Sequence, residues 1–276
     1  MQSSSMHAQA QVQAQAMTPL QLMRRWVVDY FNGHNDAAAR EFITPDYTLK
    51  IGDVVFAGRD EQWLPAVAQQ MKLFPSLAMT VHQAISGDNW AAAWFSEHGA
   101  SKGLAACWSG IAIYHSNGQQ LTACVAQEDY FTRHRQMKSG VSDAVESPAV
   151  APWDMPPRGT DEAAQAVVQH WLTQSWPPAQ SGVRCDDEHI TGVPLVFEVE
   201  TRDIDVLHSS GPDVAFHVRQ SGTYVGGLAG VEPHQRGAVL HCNGLVRVVD
   251  GQVQSGRVIR DRVGLRASLK KSGAQP

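Results

Sequence analysis

The sequence predicts an α+β protein built of two tandem copies of one domain, each a curved antiparallel sheet wrapped over N-terminal helices. The first observation behind this is that the two halves of the chain end alike. Gly110-Ile111-Ala112-Ile113-Tyr114 passes a turn at Asn117-Gly118 into Leu121…Val125…Asp129, and Gly244-Leu245-Val246-Arg247-Val248 passes Asp250-Gly251 into Val253…Arg257…Asp261. Laid on each other, Leu121 meets Val253, Val125 meets Arg257 and Asp129 meets Asp261, and an internal repeat fixes architecture before chemistry is considered. The second observation is order: in each half helical periodicity comes first and long alternating strands follow, the layout of a sheet packed over helices. The third is length, since 276 residues hold two domains of about 100–150 residues each.

In the first copy Thr18 is a capping hydroxyl, Pro19 suits the first helical turn, and Gln21 completes a capping box. Met23, Trp26, Val27, Tyr30 and Phe31 then recur at helical spacing as one apolar stripe, which Gly33 ends. A short helix fits 35–43, a strand 47–51 and a third helix 60–73; strands follow near 78–85, 90–97, 106–115 and 121–129. Lys138-Ser139-Gly140 and then Pro148, Pro152, Pro156 and Pro157 read as a linker. The second copy opens with a helix from Asp161, with Val167, Val168, Trp171 and Leu172 on its stripe, and strands fit 195–205, 214–224, 238–249 and 253–261. Its second and third helices are missing or shrunken between Trp176 and Pro194. The expected division is a disordered leader over 1–16, a first domain over 17–137, a linker over 138–160, an abbreviated second domain over 161–269 and a tail over 270–276.

Composition narrows the function. The chain is 43% hydrophobic and 18% charged, enough to bury two cores, and its net charge of −5 with no Arg-rich run excludes nucleic acid as a partner. No apolar run reaches the ~18–20 residues that cross a bilayer, so no membrane partner is expected. The leader has neither a basic nor an apolar signal region. Cys107, Cys124, Cys185 and Cys242 show no framework spacing and read as reduced thiols in a cytoplasmic protein. Twelve histidines form no HxH or HExxH spacing, and there is no Gly-rich phosphate loop, GxSxG elbow or Cys–His nucleophile, so neither metal nor cofactor is expected.

Several stretches carry a resemblance. In the second half these are Val196-Phe197-Glu198-Val199, the run from Ser221 to Leu228, Asn243-Gly244-Leu245-Val246-Arg247, and Asp250-Gly251-Gln252-Val253 leading to Asp261-Arg262-Val263-Gly264-Leu265. In the first they are Phe74-Pro75-Ser76-Leu77, Gly87-Asp88-Asn89-Trp90, Ser109 to Ile113, and Gly118 to Asp129. Together they resemble the SnoaL-like polyketide (ester) cyclases within the broader nuclear-transport-factor-2 (NTF2)-like, steroid-isomerase-like cone fold, over most of 18–137 and 161–269. The family's Glu-x-Trp-x-x-x-Asp on the closing strand is reduced here to its Asp: Ala123 and Val125 stand at the first two places in one copy, Ser255 and Arg257 in the other. The His usual after Gly-Thr is Ser101 or Tyr224. The resemblance implies two cone domains packed as an intrachain pseudo-dimer, the chain being a monomer or a homodimer, and a small hydrophobic molecule as partner.

It also implies that Asp129 and Asp261 are the acid/base residues. Positions two apart on a strand share a face, so Val125, Gln127 and Asp129 point together, as do Arg257, Ile259 and Asp261. If that face lines the cone, each Asp enters an apolar cavity, where burial raises its pKa and strengthens it as a base toward carbon acids. The competing reading is structural: Asp129 caps a helix beginning near Tyr130, and Asp261 pairs with Arg257 or Arg260. His98, beside Glu97, joins the catalytic candidates, with Gln127 or His98 holding an oxyanion. Trp26, Tyr30, Trp63, Trp94 and Trp108 are candidates to floor the pocket, and Tyr224, Arg257 and His241 are candidate substrate contacts. The expected activity is cofactor-independent acid–base chemistry: isomerisation, aldol-type cyclisation, or dehydration and cleavage. A binding protein without catalysis and an Asp-activated hydrolase using Arg257 with Asp261 are the alternatives.

Overall fold

The computed structural model describes residues 16–174, 182–233 and 237–273. Except for Ala16 the expected leader lies outside these, as do 274–276 of the expected tail. Helix α1 (Pro19–Arg24) starts on the expected capping box, with Thr18 N donating to Gln21 Oε1 at 2.9 Å and Gln21 N to Thr18 Oγ1 at 3.2 Å. It continues through a wider π-type segment over Arg25–Phe31. Asn35 caps α2 (Asp36–Phe42), and α3 (Leu64–Leu73) follows a second π-type segment, Arg59–Trp63.

The first sheet comprises β1 (Ile43–Ile51), β2 (Val54–Ala57), β3 (Ala78–Ser86), β4 (Trp90–Ser101), β5 (Leu104–Ser116) and β6 (Leu121–Glu128) in the order β2-β1-β6-β5-β4-β3. All neighbours are antiparallel except β1 and β6. Bulges at Ile43/Thr48, Val81/Gln83 and His115/Ser116 bend it. It wraps over the helices, so that Trp26, Tyr30, Phe31 and Trp63 pack against inward residues such as Phe95 and Tyr114. Helix α4 (Tyr130–Ser139) then leaves the sheet, and the connecting residues run without helix or strand to α5 (Glu162–Gln174). That connection is tied down where Ala149 N donates to Val81 O at 2.9 Å.

The second sheet repeats the plan with less. After α5 come β7 (Val183–Cys185), the one-turn α6 (Glu188–Thr191), β8 (Val196–Ser210), β9 (Asp213–Gly226), β10 (Gly237–Val249) and β11 (Gln252–Arg260), in the order β7-β11-β10-β9-β8, and α7 (Arg262–Gly273) closes the chain. Strand β7 runs parallel to β11 as β1 does to β6. Among the described residues the helices are reduced, as expected, with 175–181 lying outside them; β2, β7 and α6 are short elements that periodicity does not reveal. The aspartates of the repeat coincide: Asp129 N donates to Ser109 O and Asp261 N to His241 O, both at 2.8 Å. Extended along the ladders, this register sets Gly110 against Cys242, not Gly244. The two-residue offset keeps every side chain on its own face, so the apolar patterns of the two copies still match.

The sheets pack outer face to outer face as an intrachain pseudo-dimer. Ile85, Ala92, Ile111 and Ile113 meet Ala215, Leu245 and Ile259. One buried amide pins the contact: Asn243 Nδ2 donates to Ile111 O at 2.9 Å and to Val125 O at 3.0 Å, and its Oδ1 accepts from His217 Nδ1 at 2.7 Å. The residue is wholly buried, so Asn243→Ala leaves partners unsatisfied on both sheets. The expected loss is about 1–3 kcal/mol of unfolding free energy, measured as a lower urea midpoint at unchanged slope. An unchanged midpoint refutes the clamp.

Candidate active site

Cavity and interface lie on opposite faces of β6, and strand alternation decides which residues reach each. Cys124, Ala126 and Glu128 face inward, with Phe95 and Glu97 on β4 and Ala112 and Tyr114 on β5, onto a cavity of about 380 Å³. Trp26, Trp63, Tyr47 and Phe56 make it largely apolar. Val125, Gln127 and Asp129 therefore face outward, the reverse of the arrangement expected. Both faces of this strand are covered by protein, so its pattern carries no inside–outside contrast.

The inward row brings two acidic side chains together. Glu97 pairs across the ladder with Trp108, and Glu128 with Gly110. The two carboxyls lie close enough for each to act on the other's ionisation, a crowding that one shared proton relieves. Glu97 is 2% exposed; Glu128 is half-buried and opens onto the cavity. Burial, and then the neighbouring Glu128 charge, push the Glu97 carboxyl well above the usual carboxylate range. Burial raises Glu128 as well, opposed by the nearby Tyr130 hydroxyl and by Trp108, whose Nε1 donates to Glu128 Oε2 at 3.4 Å. Both carboxyls are thus pushed upward, and the pair favours holding one proton between them. Gln70 orients the acid, its Nε2 donating to Glu97 Oε2 at 3.0 Å while its Oε1 accepts from Arg133 Nη1 at 3.4 Å. The Arg133 guanidinium lies 4.3 Å from the Tyr130 ring and 5.0 Å from that of Trp108, a fixed positive charge beside the pair. Gly110 makes room: a Cβ there would fall 2.4 Å from the Phe95 ring and 3.1 Å from Glu128 Cγ.

Among the residues singled out from sequence, Trp26 and Trp63 line the cavity, Trp108 touches its carboxyl pair, and Tyr30 packs behind Trp63 with ring centroids 5.1 Å apart. Asp129 is buried outside the cavity. It caps α4, accepting from Thr132 N at 3.1 Å, and pairs with Arg262 at 2.6 Å across the two halves. This is the capping role of the competing reading. Gln127 is buried at the inter-sheet face. Trp94 is half-buried on the outer face beside His82, at 5.0 Å. His98, also outward, bonds Thr80 Oγ1 at 3.0 Å. Arg257 donates to Ser109 Oγ at 3.1 Å, His241 Nε2 lies 2.9 Å from Asp53 Oδ1, and the Tyr224 hydroxyl accepts from Leu228 N at 2.9 Å and donates to Val231 O. Asp261 does line the cavity, entering from the second half, and caps α7 through Gly264 N at 2.8 Å. It pairs with neither arginine: Arg260 binds Asp186 and Glu188, and Arg257 lies by Glu146. An Arg257–Asp261 water-activating pair is therefore not assembled.

The second half has no counterpart of the carboxyl pair. The register set by the aspartates puts Arg260 at the place of Glu128 and Gln220 at that of Glu97, both buried. Among the described residues no group of three or more His, Cys, Asp or Glu is placed to hold a metal, and no helix is long and apolar enough to cross a membrane. All four cysteines are free and buried.

No family profile and no curated protein matches the chain. Similar solved structures include IdmH of Streptomyces antibioticus, described as a polyketide cyclase (16% identity, 44% of this chain and 99% of that one, TM-score 0.41). A protein of Jannaschia sp. described as a SnoaL-like polyketide cyclase is 12% identical over 50% of this chain and 99% of its own, with a TM-score of 0.42. A Catenulispora acidiphila protein with a ketosteroid isomerase-like fold is 17% identical over 51% of this chain and all of its own, with a TM-score of 0.40.

A carboxyl whose pKa rises on folding binds its proton more tightly in the folded state. Its presence therefore lowers stability as pH climbs from the ordinary Glu value toward the raised one. Glu97→Gln keeps the shape, removes this titration, and lets the amide donate to Glu128. The variant should be more stable than the wild type by about 1–3 kcal/mol at pH 8, with the gap closing toward pH 5, read from denaturation at both pH values. A gap independent of pH refutes the shared-proton arrangement.

Proposed function

We propose that the chain is a cofactor-independent acid–base enzyme acting on a small hydrophobic carbonyl or hydroxyl compound in the cytoplasm, with Glu128 as the base and protonated Glu97 as the acid. The observation that carries this reading is the pair of adjoining carboxyls, Glu97 and Glu128, at the wall of an apolar cavity. Two acids enclosed together destabilise a fold, and their raised pKa values suit proton transfer near neutral pH. Glu128, little solvated, takes a proton from the carbon beside a carbonyl. The electron pair moves to the carbonyl oxygen, where the Glu97 carboxyl and the Tyr130 hydroxyl are the donors at hand. Arg133 offsets the charge of the pair, and the rings of Trp26 and Trp63 hold the apolar body. Return of the proton to another carbon completes an isomerisation. Attack of the enolate on a second carbonyl completes an aldol cyclisation, and loss of a β-hydroxyl a dehydration. Glu128 takes the role expected of Asp129, which its cap and its ion pair with Arg262 hold away from the cavity.

A second reading, a binding protein without turnover, is favoured by the apolar lining alone. Proton–deuterium exchange separates the two. In D₂O the protein should accelerate loss of the α-protons of β-tetralone, followed by NMR, and Glu128→Gln should slow this about 10²-fold or more. A wild type that binds β-tetralone without speeding exchange establishes the binding reading, and exchange that survives in Glu128→Gln removes Glu128 as the base.

A further inference from the structure

The cavity of the first half is not closed by the first half alone. Asp261, Val263 and Gly264, at the junction of β11 and α7, form part of its wall. Two glycines, one from each half, leave room for the Asp261 carboxylate. A Cβ at Gly52 would lie 2.2 Å from Oδ2 and one at Gly264 2.1 Å from it; Gly52 also has φ +57°, a conformation that side chains disfavour. Oδ1 is engaged as the cap of α7. Among the described residues no side chain donates to Oδ2, and Arg260 and Arg262 on either side of it in sequence, like Arg257, are held by other partners. Among the described residues no hydrogen bond joins the carboxylate to the group of Gln70, Glu97, Glu128, Tyr130 and Arg133. The cavity therefore has two separate polar points in an apolar wall, one from each half.

We infer that Asp261 is a specificity-determining residue of this cavity, contributed in cis by the second half, and that the ligand carries a hydrogen-bond donor, a hydroxyl or an ammonium, on its apolar body for Oδ2. The assignment of the other polar point to a carbonyl rests on the function proposed above; recognition by Asp261 does not. The substrate class this selects is a small ring compound with a reacting carbonyl and a second, donor-bearing substituent. A half that has lost the carboxyl pair from its own interior thus keeps a part in the chemistry, as a wall of its neighbour's site.

Binding measured by quenching of tryptophan fluorescence tests this without turnover, since Trp26 and Trp63 line the cavity. The probes are β-tetralone, its ring-hydroxylated and ring-aminomethylated isomers, and the matching methoxy compounds. In the wild type at least one donor-bearing isomer should bind about tenfold or more tightly than β-tetralone; whether it is the hydroxyl or the ammonium identifies the donor. Asp261→Asn keeps an α7 cap but turns an amide N–H toward the ligand, so preference should pass from the donor-bearing isomer to its methoxy counterpart, with β-tetralone affinity within about twofold of the wild type. Glu128→Gln should keep the wild-type preference. Equal affinity of all probes for the wild type, or an unchanged preference in Asp261→Asn, overturns the inference. Preference without exchange catalysis sinks only the proposed function, and catalysis without preference sinks only this assignment.

Discussion

Each sheet of this protein is apolar on both faces, and both must be kept from water. Helices cover the inner face of the first sheet; the centre of the outer face is covered by the second sheet, through Ile111 and Ile113 against Ala215, Leu245 and Ile259. This back-to-back contact fixes much else. It commits outward residues such as Ile111, Ile113, Leu245 and Ile259 to the interface, leaves the inward rows to form the interiors, and brings the start of α7 to the rim of the first cavity. Asn243 and the Asp129–Arg262 pair are among the buried polar groups that hold the contact in one register. Buried and directional, they specify one arrangement where apolar packing alone allows several.

Within that frame the halves have taken different courses. The first keeps an open interior and places two acids in it. The second puts the Arg260 guanidinium at the place of one acid, holds it with Asp186 and Glu188, and fills the remainder with side chains such as Phe216 and Val218. Arg260 is therefore locked in ion pairs where Glu128 faces a cavity, although the two occupy equivalent positions on equivalent strands. The difference lies in their surroundings: Arg260 meets carboxylates that satisfy it, while Glu128 meets a second acid and an empty space.

Much of the fold was legible because its periods are strong. The stripe from Met23 to Phe31, the turns at Asn117-Gly118 and Asp250-Gly251, and the alternation of the long strands each point to one element. The duplicated aspartate was also legible as a position, since both copies end a strand and cap a helix there. Which face of β6 looks inward was not. Ala123, Val125 and Gln127 on one side read much like Cys124 and Ala126 on the other, because protein covers both. A cue did exist in Glu97 and Glu128, acids inside otherwise apolar strands, but only the cross-strand register, Phe95 to Gly110 to Glu128, reveals that they meet. Likewise nothing near Asp261 in sequence announces Gly52, which is more than two hundred positions away.

The single covalent chain has an evolutionary meaning. In a dimer of identical subunits every substitution appears twice, so a guanidinium in place of Glu128 would erase both acid pairs at once. Fusion lifts that restriction: one copy can be sacrificed to rigidity and to shaping its neighbour while the other retains reactivity. Tethering also raises the local concentration of one copy around the other, so the contact between them need not be strong enough to assemble from dilute solution.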